Sequence, residues 1–171
     1  MPEPGRLRCV IDVEASGFGR QSYPIEVGWA LHDGRAGCML VRPLPHWTHW
    51  DDAAERVHGI TRQTLLQHGH EPIDVARRLN AELGGQTVYS DAWGHDFAWI
   101  SRLFDEAELP RHFRLEPAAS LFGETLLGQL DEVHKAAFTE LAVTRHRASN
   151  DARALQRALQ ALDERPGRRL R

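Results

Sequence analysis

In the stretch CVIDVEASGFG, Cys9 to Gly19, two carboxylates, Asp12 and Glu14, sit two residues apart among the apolar residues Val10, Ile11 and Val13. Extended chain alternates faces, so Asp12 and Glu14 point one way while Ile11 and Val13 point the other. Two carboxylates on one face repel each other. A solvated outer face is the ordinary reason for such a pair. The alternative is a covered strand, where the acids need cations; Mg²⁺ suits that role because it typically binds through one or two carboxylates and keeps waters and substrate phosphates as its other ligands. This alternative requires further acids from elsewhere in the chain.

Two distant segments offer them. SDAWGHDFAWISRLF carries Asp96 at the start of a helical pattern, and HRASNDARALQRAL carries Asp151 in the first turn of the last one, with His146 five residues earlier. An imidazole with an unperturbed pKa of about 6.5 accepts a proton near neutral pH, and a loop position lets it swing over a site. Each residue also has an ordinary reading. Asp96 could serve only the helix N-terminus, an effect of about 0.3–1 kcal/mol, and His146 is one of 10 histidines. Asp91, at the end of the preceding strand, competes with Asp96, although Asp is favoured wherever a strand gives way to a turn. His134 falls between Leu130, Val133 and Ala137 on a helical pattern, which suits core or helix-surface duty better than catalysis.

Taken in order, these residues resemble the DEDDh family of 3′→5′ exonucleases, the ribonuclease H-like group that contains oligoribonuclease, ribonuclease T and polymerase proofreading subunits. The resemblance runs from Val10 to about Leu155. Asp12 and Glu14 match the D-x-E motif of the first strand, Asp96 the acid of a middle helix, and His146 with Asp151 the H-x4-D motif. Ser16-Gly17 stands where the family often has Thr-Gly. The His-Asn pair that commonly precedes the second acid is absent, which leaves Asp91 in competition; the spacing of Asp96 to its helix favours Asp96. HGIT, His58 to Thr61, resembles a segment of the proofreading-type members, and His58 stays outside the catalytic set.

The resemblance implies an α/β, ribonuclease H-like fold with a central mixed sheet flanked by helices, and hydrolysis of phosphodiester bonds from the 3′ end of single-stranded DNA or RNA. It implies two divalent cations, Mg²⁺ or Mn²⁺, which in such sites lie about 3.5–4 Å apart and serve the attacking and leaving oxygens. Asp12 would bridge both cations, Glu14 and Asp151 would complete the water-activating site, Asp96 would help hold the other, and His146 would take the proton from water. Ser16, Gly17 and Phe18 are the expected substrate-binding residues, with Phe18 as an aromatic support for a base, a contact of about 1–3 kcal/mol. Trp93 is a second candidate for that contact, and Trp99 suits core packing better. Trp47 and Trp50 carry no assignment. Family members are often homodimers, although no stripe in the sequence marks an interface.

Positioning these residues requires alternating elements. RCVIDVE, PIEVGWALHD and CMLVRP read as a meander of three strands, and QTVYSD as a fourth. The connection LPHWTHWDDAAERVHGIT holds one short helix. PIDVARRLNAELGG, HDFAWISRLFDEAEL, TLLGQLDEVHKAAFTELA and NDARALQRALQALDER have helical spacing, the last with the stripe Ala152, Leu155, Leu159 and Leu162. In such an order the first strand tends to be central and covered on both faces.

The 171 residues, 42% hydrophobic, suit one domain spanning 1–171, with 166–171 as a flexible basic tail. The net charge of −3 argues against a general coating of nucleic acid, so any such partner needs a local patch. All but Lys135 of the 21 basic side chains are Arg, clustered in RHFR, RHR and the tail. No run reaches the roughly 18 apolar residues of a membrane span, and Cys9 and Cys38 read as core thiols of a reducing, cytoplasmic compartment. Two other readings use the same acids: a non-catalytic module that binds nucleic acid or a polymerase, and a metal phosphoesterase for small nucleotides.

Overall fold

A computed structural model describes residues 6–122 and 124–165; the tail expected at 166–171 lies outside the described residues. Five strands, β1 (Cys9–Ala15), β2 (Pro24–Ala30), β3 (Ala36–Leu40), β4 (Thr87–Ser90) and β5 (Arg114–Pro117), form one mixed sheet in the order β3-β2-β1-β4-β5. The first three make the expected antiparallel meander, and β4 and β5 run parallel to β1. The strand with the paired acids is therefore central. Among the described residues, no helix is long and apolar enough to cross a membrane.

Helices cover both faces. Ile11 and Val13 pack into a core with α3 (Pro72–Leu83) and α4 (Trp93–Glu106), joined by Leu65 of the short α2 (Arg62–His68). Val10 and Ala30 pack under α5 (Glu124–Leu141) and α6 (Ala148–Asp163), whose predicted stripe of Ala152, Leu155, Leu159 and Leu162 is fully buried. A buried Leu contributes about 1.5–3 kcal/mol, so this stripe fixes α6 firmly along the sheet. The connection after β3 contains the expected short helix, α1 (Asp52–His58), capped by the Asp51 carboxylate, which accepts from the N–H of Ala53 at 2.8 Å.

Several expectations need correction. Because β2 is covered on both faces, all seven of its residues are buried, and its alternation separates large residues from Glu26, Gly28 and Ala30 rather than apolar from solvated. Cys9 is buried, but Cys38 is exposed because β3 is an edge strand. Neither α2 nor β5 follows from the sequence pattern. β5 is four residues long and ends on Pro117, too short to display alternation, and it exists through its pairing with β4. Trp47 is wholly buried, stacked on Tyr23 at 5.0 Å between centroids with its indole N–H donating to Glu106 at 3.1 Å, and the Trp50 N–H donates to Glu55 at 2.7 Å. Both are packing residues.

Candidate active site

The register of β1 against β2 pairs Val10 with Ala30, Asp12 with Gly28 and Glu14 with Glu26. Paired residues share a face, so the face under α6 changes from apolar at Val10 and Ala30 to acidic at Asp12, Glu14 and Glu26, with Gly28 leaving room opposite Asp12. Gly28 has a packing role: a Cβ there would lie 2.1 Å from the carbonyl carbon of Ala148. This close approach sets the first turn of α6 directly over β1 and β2 and so brings Asp151 beside Glu14.

The start of α6 has no side-chain cap of its own. Glu26, fully buried, supplies one from the neighbouring strand: its carboxylate accepts from the N–H of Ala148 at 2.7 Å and from Arg147 Nη2 at 2.8 Å. Immediately before this clamp, His146 adopts a left-handed φ of 62°, and its backbone N–H donates to both Asp151 oxygens at 3.1 and 3.2 Å. One ligand atom from each of Glu14, His146 and Asp151 lies within 4.8 Å of the other two.

A second trio forms at the end of β4, where one oxygen from each of Asp12, Asp91 and Asp96 lies within 4.8 Å of the others. Asp96 is buried in the first turn of α4 and accepts from the Ser90 hydroxyl at 2.5 Å. Asp91 lies 3.3 Å from Nδ1 of His134, a buried residue of α5 that stacks on Phe138. The sequence posed Asp91 and Asp96 as competitors; both reach the site, from opposite layers of the fold.

Electrostatics match this crowding. Burial, then the neighbouring Asp96, Asp151, Glu14 and Asp91, raises the Asp12 pKa well above the carboxylate range, and its Oδ2 is buried with no hydrogen-bond partner. Glu14 is pushed up to about 8 by burial and by Asp151 and Glu26. Burial also raises Asp96, with Asp91 and Asp151 adding to it against the opposing Ser90 hydrogen bond. Asp151 is raised by burial, partly offset by the His146 N–H. Asp91 alone goes down: burial acts against it, but the hydrogen bond and charge of His134 and two backbone N–H groups outweigh burial. An orphaned carboxylate oxygen among acids that resist ionisation fits a divalent cation, which supplies the missing charge and hard-oxygen preference.

A cleft of about 390 Å³ opens onto Asp12, Glu14, Asp96 and Asp151, with Asp91 outside its lining and a rim including Gly17, Phe18, Val57, His58, His95 and Trp99. Gly17 has φ 149° and no room for a side chain, since a Cβ would lie 2.8 Å from Asp51 Cβ. The loop it permits leaves Phe18 68% exposed at the mouth, edge-on to His95 at 5.2 Å. Ser16 is buried behind this loop, where its hydroxyl accepts from the Tyr23 N–H at 3.1 Å and bonds His49 Nδ1 at 2.9 Å. Its position offers support to the loop rather than an open hydroxyl. Trp99 is packed as expected, donating to Ser22 at 2.8 Å, while Trp93 lies outside the cleft lining and donates to the Leu115 carbonyl at 3.1 Å.

Sequence reasoning missed Glu26; it gave His134 core or helix-surface duty, which its burial bears out, but not its contact with Asp91. The signal for Glu26 was a lone acid inside PIEVGWA, opposite Glu14 once the meander is folded. No local signal marks His134, which acts through a residue more than forty positions away.

No family model matches the chain, and no curated protein matches it. Solved structures do. The chain is similar to exonuclease I from Methylocaldum szegediense, with 15% identity, a TM-score of 0.66, and coverage of 93% of this chain and 41% of that one. It is similar to E. coli exonuclease I in complex with a dA16 oligonucleotide, with 12% identity, a TM-score of 0.66 and coverage of 92% and 40%. A product-bound exonuclease I gives 11% identity, a TM-score of 0.67 and coverage of 92% and 43%. The chain thus spans about two fifths of the length of these neighbours. At such identity the likeness establishes the architecture: a mixed five-stranded sheet flanked by helices, with its structural neighbours among the ribonuclease H-like exonucleases.

Proposed function

We propose that this chain hydrolyses phosphodiester bonds from the 3′ end of single-stranded nucleic acid. The observation that carries the reading is the meeting of Asp12, Glu14, Asp96, His146 and Asp151 at one cleft, with Asp12 and Glu14 two residues apart on β1. When bound, a pair of divalent cations, Mg²⁺ or Mn²⁺, supplies the positive charge that activates water and stabilises the leaving 3′ oxygen. Asp12, of the second trio, stands two residues along β1 from Glu14 of the first and would serve both cations. Glu14 and Asp151 hold the side next to His146, and Asp96 holds the other.

His146 accepts the proton of the attacking water from its loop position, where its exposed side chain is free to turn. The tight Gly17 backbone admits the terminal sugar closely, Ser16 stiffens the loop from behind, and Phe18 stacks on a base. Single-stranded DNA is the first substrate to try, because structural neighbours were crystallised with dA16 and dT13 oligonucleotides. The 3′ polarity rests on the resemblance of the motifs.

The test is degradation of 3′-blocked and 5′-blocked single-stranded DNA and RNA with and without Mn²⁺. Metal-dependent release of mononucleotides from free 3′ ends, stopped by the 3′ block, is expected. Tight binding of the strand with no release under either metal would overturn the hydrolytic reading and leave a nucleic-acid-binding module; cleavage confined to dinucleotides would leave a small-nucleotide phosphoesterase.

A further inference from the structure

At the Asp12–Asp96 end of the cleft there is one more carboxylate than the proposed mechanism uses. β4 pairs with β1 in the register Cys9↔Val88 and Val10↔Tyr89. Continued along both strands, the same offset brings Asp91 level with Asp12. The chain then bends into α4, which returns Asp96 to the same point from the other layer. The three carboxylates approach to within 4.8 Å of one another.

Such a cluster at a strand end is common and by itself indicates nothing. Two features distinguish this one. Oδ2 of Asp12 is buried and has no hydrogen-bond partner among the described residues. Asp91 itself is fixed from behind: Nδ1 of His134 lies 3.3 Å from its Oδ2, and the His134 ring is buried and stacked on Phe138 at 5.1 Å between centroids. A carboxylate aimed by a packed histidine has the arrangement of a ligand and its orienting partner.

We propose that Asp91 is a fifth carboxylate of the metal centre, completing with Asp12 and Asp96 the cage of the cation on that side, and that His134 positions it. The assignment rests on the two-cation reading above. Three acids around one hard cation exceed the one or two that Mg²⁺ commonly takes, so this side of the centre holds its ion more tightly than Asp12 and Asp96 alone would. Asp91 is the ligand and His134 the positioning residue.

Calorimetric titration of the metal-free full chain with MnCl₂ tests this, alongside Asp91→Asn, His134→Gln and the surface control Asp74→Asn. The wild type is expected to take up two ions. Asp91→Asn should weaken one of them at least tenfold and leave the other unchanged, and His134→Gln should weaken the same ion by a smaller factor, in line with about 10- to 100-fold for lost orienting contacts. Asp74→Asn should bind like wild type. Two ions bound with wild-type affinity by Asp91→Asn overturns this assignment while the two-cation reading stands. A wild-type chain that binds no Mn²⁺ overturns both. Far-UV circular dichroism of the metal-free variants verifies folding; if Asp91→Asn does not fold, wild-type affinity for both ions in a folded His134→Gln overturns the positioning claim.

Discussion

The two trios of the candidate site are built on different principles. Asp12, Asp91 and Asp96 gather where β4 ends beside β1, Asp91 directly after the strand and Asp96 locked by the Ser90 hydroxyl. Glu14, His146 and Asp151 depend on the approach of one helix, α6, whose first turn is tied to β2 by Glu26 and Arg147. The former trio gathers where β4 ends and α4 begins, a short stretch of chain beside β1, whereas the latter needs a helix from the far end of the chain docked over β1. Under the proposed reading this division is useful, because the cations need rigid ligands while the proton acceptor His146 needs room to turn.

The comparison breaks most completely at Asp12, a member of one trio that stands two residues along β1 from Glu14 of the other. Asp12→Ala should abolish turnover and remove both Mn²⁺ ions in calorimetry; retained activity would mean that the trios do not form one centre. His146→Ala should lower turnover by roughly 10²–10⁴-fold, the usual contribution of a positioned base, with Mn²⁺ binding intact. Loss of metal together with activity would make it a ligand instead.

Glu26→Ala sharpens the contrast, since it leaves the acids in place and releases α6. Breaking a buried ion pair costs about 3–5 kcal/mol; because Arg147 is 48% exposed and can rehydrate, urea unfolding should show a loss near the lower end, about 2–3 kcal/mol. Metal affinity on the Asp151 side should fall while the Asp12–Asp96 side is kept. Unchanged stability would show that the stripe of α6 alone docks the helix.

The smallest effect is in the pH dependence of metal-free stability. Glu14 rises from 4.5 to about 8 on folding, so between those values the folded chain holds a proton that the unfolded chain has released. Stability then falls as pH rises through that window. Asp91 has the opposite sign: its lowered pKa adds stability above its ordinary value of 3.8, lost as pH falls below it. Saturating Mn²⁺ should abolish the decline towards pH 8, because a cation requires the ionised acids. Thermal melts at pH 5 and 8, with and without metal, measure the Glu14 decline and its reversal, and a melt at pH 3 adds the Asp91 loss. A metal-free Tm that does not fall would remove Glu14 from the strained set.

The sequence by itself determined the local geometry. The parity of β1 puts Asp12 and Glu14 on one face, the stripe of α6 buries as spaced, and Asp51 and Gly59 bound α1 at the positions their chemistry favours. These follow from backbone periodicity and capping, which act over a few residues. Tertiary structure alone decided that Asp91 and Asp96 both face the site, that Ser16 turns inward, that Glu26 caps a helix 122 positions away, and that β5 is a strand at all. Those outcomes depend on which layer packs over which. The stripe of α6 is periodic in the sequence, but the surface on which it lands, close against Gly28, and the Glu26–Arg147 clamp at its first turn leave no periodic trace there.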